Sequence, residues 1–202
     1  METGTNGLLA GNGGVIARAV EFAAIKHNGK KRKNPERDIP YIAHPVKVGM
    51  MLREADFDEE VVAAGILHDT IEDSDATEPE LKVEFGDRVA RLVISVTEPD
   101  KSHSWTERQQ AYLERIGSAN KETLAISACD KIDNMRSMLQ SLRAGFNVYE
   151  RMNAPPDQQI AKFEKLHQVY DGKVPDTIRE LFADTLREVI TETRRLQPGR
   201  SE

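Results

Sequence analysis

Apolar residues recur at three- and four-residue spacing along most of the chain, and this pattern predicts a succession of helices. Val15, Ala19, Phe22 and Ala23 mark a first helix from about Val15 to His27. Asn28–Pro35 follows as a basic loop carrying turn residues. Pro40 and Pro45 bracket Tyr41-Ile42-Ala43-His44. Proline suits a first helical turn, so the spacing predicts His44 near the N-cap of a helix Val46–Arg53. Asp58 is the expected cap of one helix from Glu59 to about Glu72, with Val61, Ala64, Gly65 and His68 sharing a face. Thr77 and Glu80 have capping-box spacing at the next start. Gly86-Asp87 opens a helix with the stripe Val89, Leu92, Val93, Val96. After a loop over Thr97–Ser104, helices are expected at Trp105–Ile116, stopped by Gly117, and at Lys121 to Ala144, capped by Asn120. Pro155-Pro156 breaks the chain before Gln158–Tyr170, and a last helix covers Asp176 to about Arg195. No stretch alternates as a strand would. The expectation is an all-α bundle forming one domain over residues 15–196, with flexible ends at 1–14 and 197–202.

Composition narrows the picture. The 202 residues suffice for one self-sufficient core. A net charge of -6 argues against a broad nucleic-acid-binding surface and leaves room for a local basic pocket that takes an anionic small molecule. The single cysteine, Cys129, excludes an intrachain disulfide framework and reads as a plain core thiol of a reducing compartment. No apolar run approaches a membrane span, and Leu8-Leu9-Ala10 is too short for a signal-peptide core. The expected partner is therefore an anionic small molecule, with no nucleic acid and no membrane, and the expected compartment is the cytoplasm.

The chemistry concentrates at His68-Asp69-Thr70-Ile71-Glu72-Asp73, where an imidazole and three carboxylates follow an apolar run. Such crowding beside a core is costly unless the groups hold a cation or do chemistry. The basic run Lys30-Lys31-Arg32-Lys33 reads either as a solvated charge run or as a phosphate-binding loop. A polar seam, Ser127, Asp130, Asn134 and Ser137, runs along the longest helix, as a solvent face or as one wall of a site. His103, Trp105 and His167 read as surface or packing residues. His44, His68, Asp69 and Asp130 lack a comfortable structural role. Together they form a mixed nitrogen and oxygen set suited to Mn²⁺, Fe²⁺ or Zn²⁺.

The order His, His-Asp, Asp resembles the HD superfamily of metal-dependent phosphohydrolases. Several phrases are similar to one branch, the hydrolase domain of RelA/SpoT-type alarmone enzymes and the small alarmone hydrolases. These are Arg32-Lys33, Tyr41-Ile42-Ala43-His44-Pro45, Leu67-His68-Asp69-Thr70-Ile71-Glu72-Asp73 and Cys129-Asp130-Lys131-Ile132-Asp133-Asn134. The resemblance implies an HD-domain helical bundle with one divalent metal, usually manganese, on His44, His68, Asp69 and Asp130. It implies that Glu72 and Asp73 handle the attacking water, and that Arg32, Lys33, Lys131 and Asn134 contact an anionic nucleotide. The implied reaction removes the 3′-pyrophosphate of a guanosine 3′,5′-polyphosphate. The alternatives are another nucleotide or pyrophosphate substrate, or a catalytically silent HD binding module. One departure stands out: the branch carries a Tyr-Phe pair before Glu in a later substrate-contacting helix, and this chain has Lys162-Phe163-Glu164.

Overall fold

The computed structural model describes residues 13–34, 36–98 and 104–196. In chain order the helices are α1 (Val15–Lys26), α2 (Ala43–Glu54), α3 (Glu59–Leu67), α4 (Thr70–Asp73), α5 (Glu78–Phe85), α6 (Asp87–Val96), α7 (Trp105–Gly117), α8 (Lys121–Arg143), α9 (Pro156–Tyr170) and α10 (Asp176–Leu196). A short 3₁₀ turn spans Val148–Arg151. Among the described residues there is no strand, only an isolated bridge between Lys31 and Pro40. The all-α expectation holds. The expected flexible ends fall mostly outside the described residues, as does His103.

Two helices organise the rest. Every residue of α3 from Val61 to Leu67 is buried, because the segment is apolar on all sides and is covered by α1, α2 and α6. The long α8 packs against α2, α6, α9 and α10. Close approach of α2 and α3 depends on glycine: a Cβ at Gly65 would strike Leu52, and one at Gly49 would strike Ile66. The Gly86 hinge between α5 and α6 has φ +87°, in the left-handed region that favours glycine.

The caps behave as their sequences suggest. Asp58 accepts from the backbone N–H groups of Glu60 and Val61, and Asn120 from that of Thr123. Thr77 and Glu80 form the expected capping box, and Ser104 and Glu107 form a second one. Arg88 ties the α3 cap to α8 through Asp58, Glu60 and Glu122.

The structure corrects two boundaries. α2 begins at Ala43, so His44 lies inside its first turn, with Ile42 as the capping residue. A proline is tolerated anywhere its missing N–H would be unsatisfied, so Pro45 does not mark the first helical residue. The expected helix from Glu59 to Glu72 is two helices: α3 ends at Leu67 and α4 starts at Thr70. At the break, the Thr70 hydroxyl donates to the Leu67 carbonyl at 2.7 Å, and His68 Nδ1 meets the Gly65 carbonyl at 2.8 Å. Side chains thus take carbonyls that a continuous helix would give to backbone N–H groups. The kink presents His68 and Asp69 side by side.

Candidate metal and phosphate site

Three elements converge on one buried point: the start of α2, the α3–α4 kink and the middle of α8. His44 Nε2 lies 3.4 Å from Asp69 Oδ2 and 3.3 Å from Asp130 Oδ1. His68 Nε2 lies 3.1 Å from Asp69 Oδ2 and 3.7 Å from Asp130 Oδ1. Among the described residues, His44, His68 and Asp130, all buried, bring ligand-capable atoms within 4.8 Å of one another. Asp69 closes the fourth side.

The donor set fits a cation. His68 Nδ1 faces a carbonyl, which can only accept, so that nitrogen carries the hydrogen and Nε2 offers its lone pair inward. His68 Nε2 is buried and has no hydrogen-bond partner. His44 Nδ1 is held 2.7 Å from Asp133 Oδ2, which likewise turns Nε2 inward. Burial pushes both imidazoles down, but the surrounding carboxylates outweigh it, lifting His44 to about 9 and His68 well above its usual value. Asp69 and Asp130 are held well below the usual carboxylate range, against their burial, by the histidines and, for Asp130, Lys131. Two imidazoles facing two carboxylates with no thiolate make a site for a divalent ion of the borderline or hard kind.

Around this point lie the other residues expected from sequence. Glu72 Oε2 accepts the Glu98 backbone N–H at 3.2 Å, and burial followed by the nearby Glu98 and Asp69 charges raises its pKa. Asp73 borders a cavity of about 500 Å³ that opens beside the site. Arg32, Lys33, Lys131 and Asn134 line the same cavity. Lys131 donates to Asp130 Oδ2 at 2.7 Å, and Asn134 donates to Asp130 Oδ1. Arg32 donates to Asp133 and Asn134, each at 3.2 Å. The basic loop is therefore pinned to α8 rather than freely solvated, and Asn34 adds bonds to Ser137 and Ser141. Likewise the polar seam of α8 is no solvent face: Ser127 is buried between the Tyr112 and Tyr170 hydroxyls.

Sequence reasoning missed three participants. Asp133 orients His44 and binds Arg32, while Lys47 approaches it at 3.4 Å. Its signal was available: it lies one turn past Asp130 in the same acidic stretch of α8. Tyr41 donates its hydroxyl to Asp69 at 2.5 Å and sits under Arg32, whose guanidinium is 5.8 Å from the ring. Trp105, expected on the surface or in packing, borders the cavity. His167 does pack, stacked on Phe182, and Cys129 is a buried thiol pushed up by burial.

A buried two-imidazole, two-carboxylate point inside an all-helical bundle, beside a cavity rich in cationic side chains, suits a divalent ion and an anionic ligand. A family model described as HD domain matches residues 19–153. The chain belongs to the HD domain family. It is 39% identical over 125 residues to the guanosine-3′,5′-bis(diphosphate) 3′-pyrophosphohydrolase of Aquifex aeolicus, covering 61% of this chain and 18% of that one. It is 38% identical over 136 residues to the Danio rerio enzyme of that name, MESH1, covering 66% of this chain and 74% of that one. A solved metazoan SpoT ortholog, described as hydrolysing ppGpp, superposes with a TM-score of 0.73 at 27% identity, over 88% of this chain and 97% of that one. A Listeria monocytogenes structure matches with a TM-score of 0.65 at 36% identity, over 76% and 97%. Among the described residues, no helix is long and apolar enough to cross a membrane.

Proposed function

We propose that the chain is a guanosine-3′,5′-bis(diphosphate) 3′-pyrophosphohydrolase, holding one Mn²⁺-class ion on His44, His68, Asp69 and Asp130. The observation that carries the reading is the convergence of His44 Nε2 and His68 Nε2 on Asp69 and Asp130, with both δ-nitrogens occupied elsewhere. The relatives carrying that name support the substrate.

A divalent ion there would polarise a phosphoryl oxygen and acidify a nearby water. The chain's own residues do the rest. Glu72 has a raised proton affinity and stands beside the site, which suits it to accept the water's proton. Asp73 borders the cavity and Tyr41 bridges towards it from Asp69, so that carboxylate orients the water. Arg32, Lys33, Lys131 and Asn134 hold the anionic nucleotide. Arg32 is kept in place by Asp133 and Asn134, and its flat guanidinium can stack on a base while reaching phosphate. The water oxygen joins the phosphorus on the ribose 3′ oxygen, that P–O bond breaks, the 3′ oxygen takes up a proton, and pyrophosphate separates from guanosine 5′-diphosphate.

The test is a hydrolysis assay on the guanosine polyphosphate beside ordinary nucleotides, with Mn²⁺ supplied and then chelated. Release of pyrophosphate from the polyphosphate alone, lost on chelation, is the expected result. Cleavage of the ordinary nucleotides instead would move the substrate, and binding of a stoichiometric ion with no cleavage at all would leave a silent binding module.

A further inference from the structure

Among the described residues, Lys162 is a cation without a counter-ion. It stands on α9, half-buried, in the wall of the 500 Å³ cavity. Among those residues it makes no hydrogen bond and no ion pair, and its ammonium lies 6.0 Å from the neighbouring Phe163 ring. Lys131 and Glu98 line the same cavity, and the charges that act on the Lys162 ammonium are those of Lys131, Glu98, Asp130 and Glu72. Lys131 is bonded to Asp130 and set 4.9 Å over the Tyr112 ring. Two ammonium groups therefore line one cavity, and among the described residues only Lys131 has an ion-pair partner. Burial, then repulsion from Lys131, pulls the Lys162 ammonium down to about 8. An arrangement of that kind is unfavourable until an anion bridges the pair. The cavity is charged to receive one: six of its lining side chains are cationic and three are carboxylates.

We propose that Lys131 and Lys162 form a paired-lysine site that grips a phosphate group of the substrate in the cavity beside the candidate metal centre. The inference deepens the proposed function and rests on it for the identity of the substrate, but the site itself is defined by charge and placement. A compact ammonium on a flexible stem suits a phosphate that changes shape during hydrolysis, and its strong hydration makes it a poor partner for a ribose or a base. The pair thus favours substrates with a phosphate-rich 3′ or 5′ end over those with a single monophosphate.

The experiment uses the purified full chain in a Mg²⁺ buffer near pH 7, with inorganic phosphate as the probe. Binding is read by the phosphorus-31 line width of the phosphate and by the fluorescence of Trp105, the chain's single tryptophan, which borders the same cavity. Lys162→Gln should weaken phosphate binding about tenfold, the size of one lost charge-assisted contact. Lys162→Arg should restore it to within about twofold, and Lys165→Gln, an exposed change one turn along α9, should leave it unchanged. In the hydrolysis assay Lys162→Gln should raise KM about tenfold while kcat stays within about threefold. Wild-type affinity in Lys162→Gln, or no phosphate binding by the wild type, overturns the proposal. Phosphate binding that depends on Lys162 in a protein that cleaves no guanosine polyphosphate would uphold the pair and reject the substrate.

Discussion

His44 Nδ1 sits 2.7 Å from Asp133 Oδ2, while the Nε2 of the same ring faces Asp69 and Asp130. One carboxylate on α8 therefore aims an imidazole at another carboxylate three residues earlier on the same helix. Asp133 also carries Arg32 at 3.2 Å, so it links the metal side of the site to the nucleotide side. Asp133→Asn keeps an acceptor but removes its charge, and about a tenfold loss of metal affinity is expected; Asp133→Ala removes both and should approach a hundredfold. Competition with a fluorescent chelator measures it. Unchanged affinity in both variants would mean that His44 is oriented by packing alone.

Glu72 and Asp69 lie three residues apart and should fail differently. Asp69→Ala removes an oxygen that lies within 3.4 Å of both histidine Nε2 atoms, and metal content should collapse along with activity. Glu72→Gln leaves those four groups untouched and should retain metal while turnover falls about 10²- to 10⁴-fold. Metal analysis beside kcat separates the two. Loss of metal in both variants would reassign Glu72 to the ligand set.

Gly65 illustrates how packing positions the chemistry. It is buried where α3 presses on α2, and its carbonyl holds His68 Nδ1. A methyl group there would collide with Leu52 and lie 3.4 Å from Val48. Gly65→Ala should destabilise the fold by about 1–3 kcal/mol, lowering Tm by about 2–4 °C per kcal/mol. Gly117→Ala, at a helix end where the added Cβ meets nothing within 4 Å, is the matched control and should be neutral or slightly stabilising. Equal Tm shifts in the two variants would remove the steric account.

The fold was legible because helices declare themselves locally. The stripes of α6 and α8 and the caps Asp58, Thr77 and Asn120 all lie within a few residues of the structure they specify. The four candidate ligands were legible because each is an ionisable group without a comfortable place in a helix pattern. What stayed hidden depends on contacts through space. Asp133 meets His44 across 89 residues and Tyr41 meets Asp69 across 28, so the place of Asp133 one turn past Asp130 could mark it for the site without showing which group it holds. The kink at His68-Asp69 was hidden for another reason. Helical spacing of the sequence continues through it, and it is the Thr70 hydroxyl and His68 Nδ1, taking the Leu67 and Gly65 carbonyls, that accompany the early end of α3. Lys162 departs from the family pattern in sequence, but that it has no counter-ion among the described residues is visible only in three dimensions.

Lys162 also makes the binding of phosphate depend on pH in a direction that can be worked out. Burial lowers its ammonium to about 8, with Lys131 adding to the fall and Glu98, Asp130 and Glu72 opposing it. The group is charged below that value and neutral above it. Its attraction for an anion is therefore present at pH 7 and lost as the pH rises through 8. Bound phosphate favours the charged form, so the midpoint should move upward in the complex. Affinity for inorganic phosphate should fall about tenfold between pH 7 and 9.5 in the wild type. Lys162→Arg stays charged throughout and should flatten that limb, while Lys162→Gln should already sit at the weak level at pH 7. A wild-type limb that persists unchanged in Lys162→Arg would assign the titration to another group in the cavity.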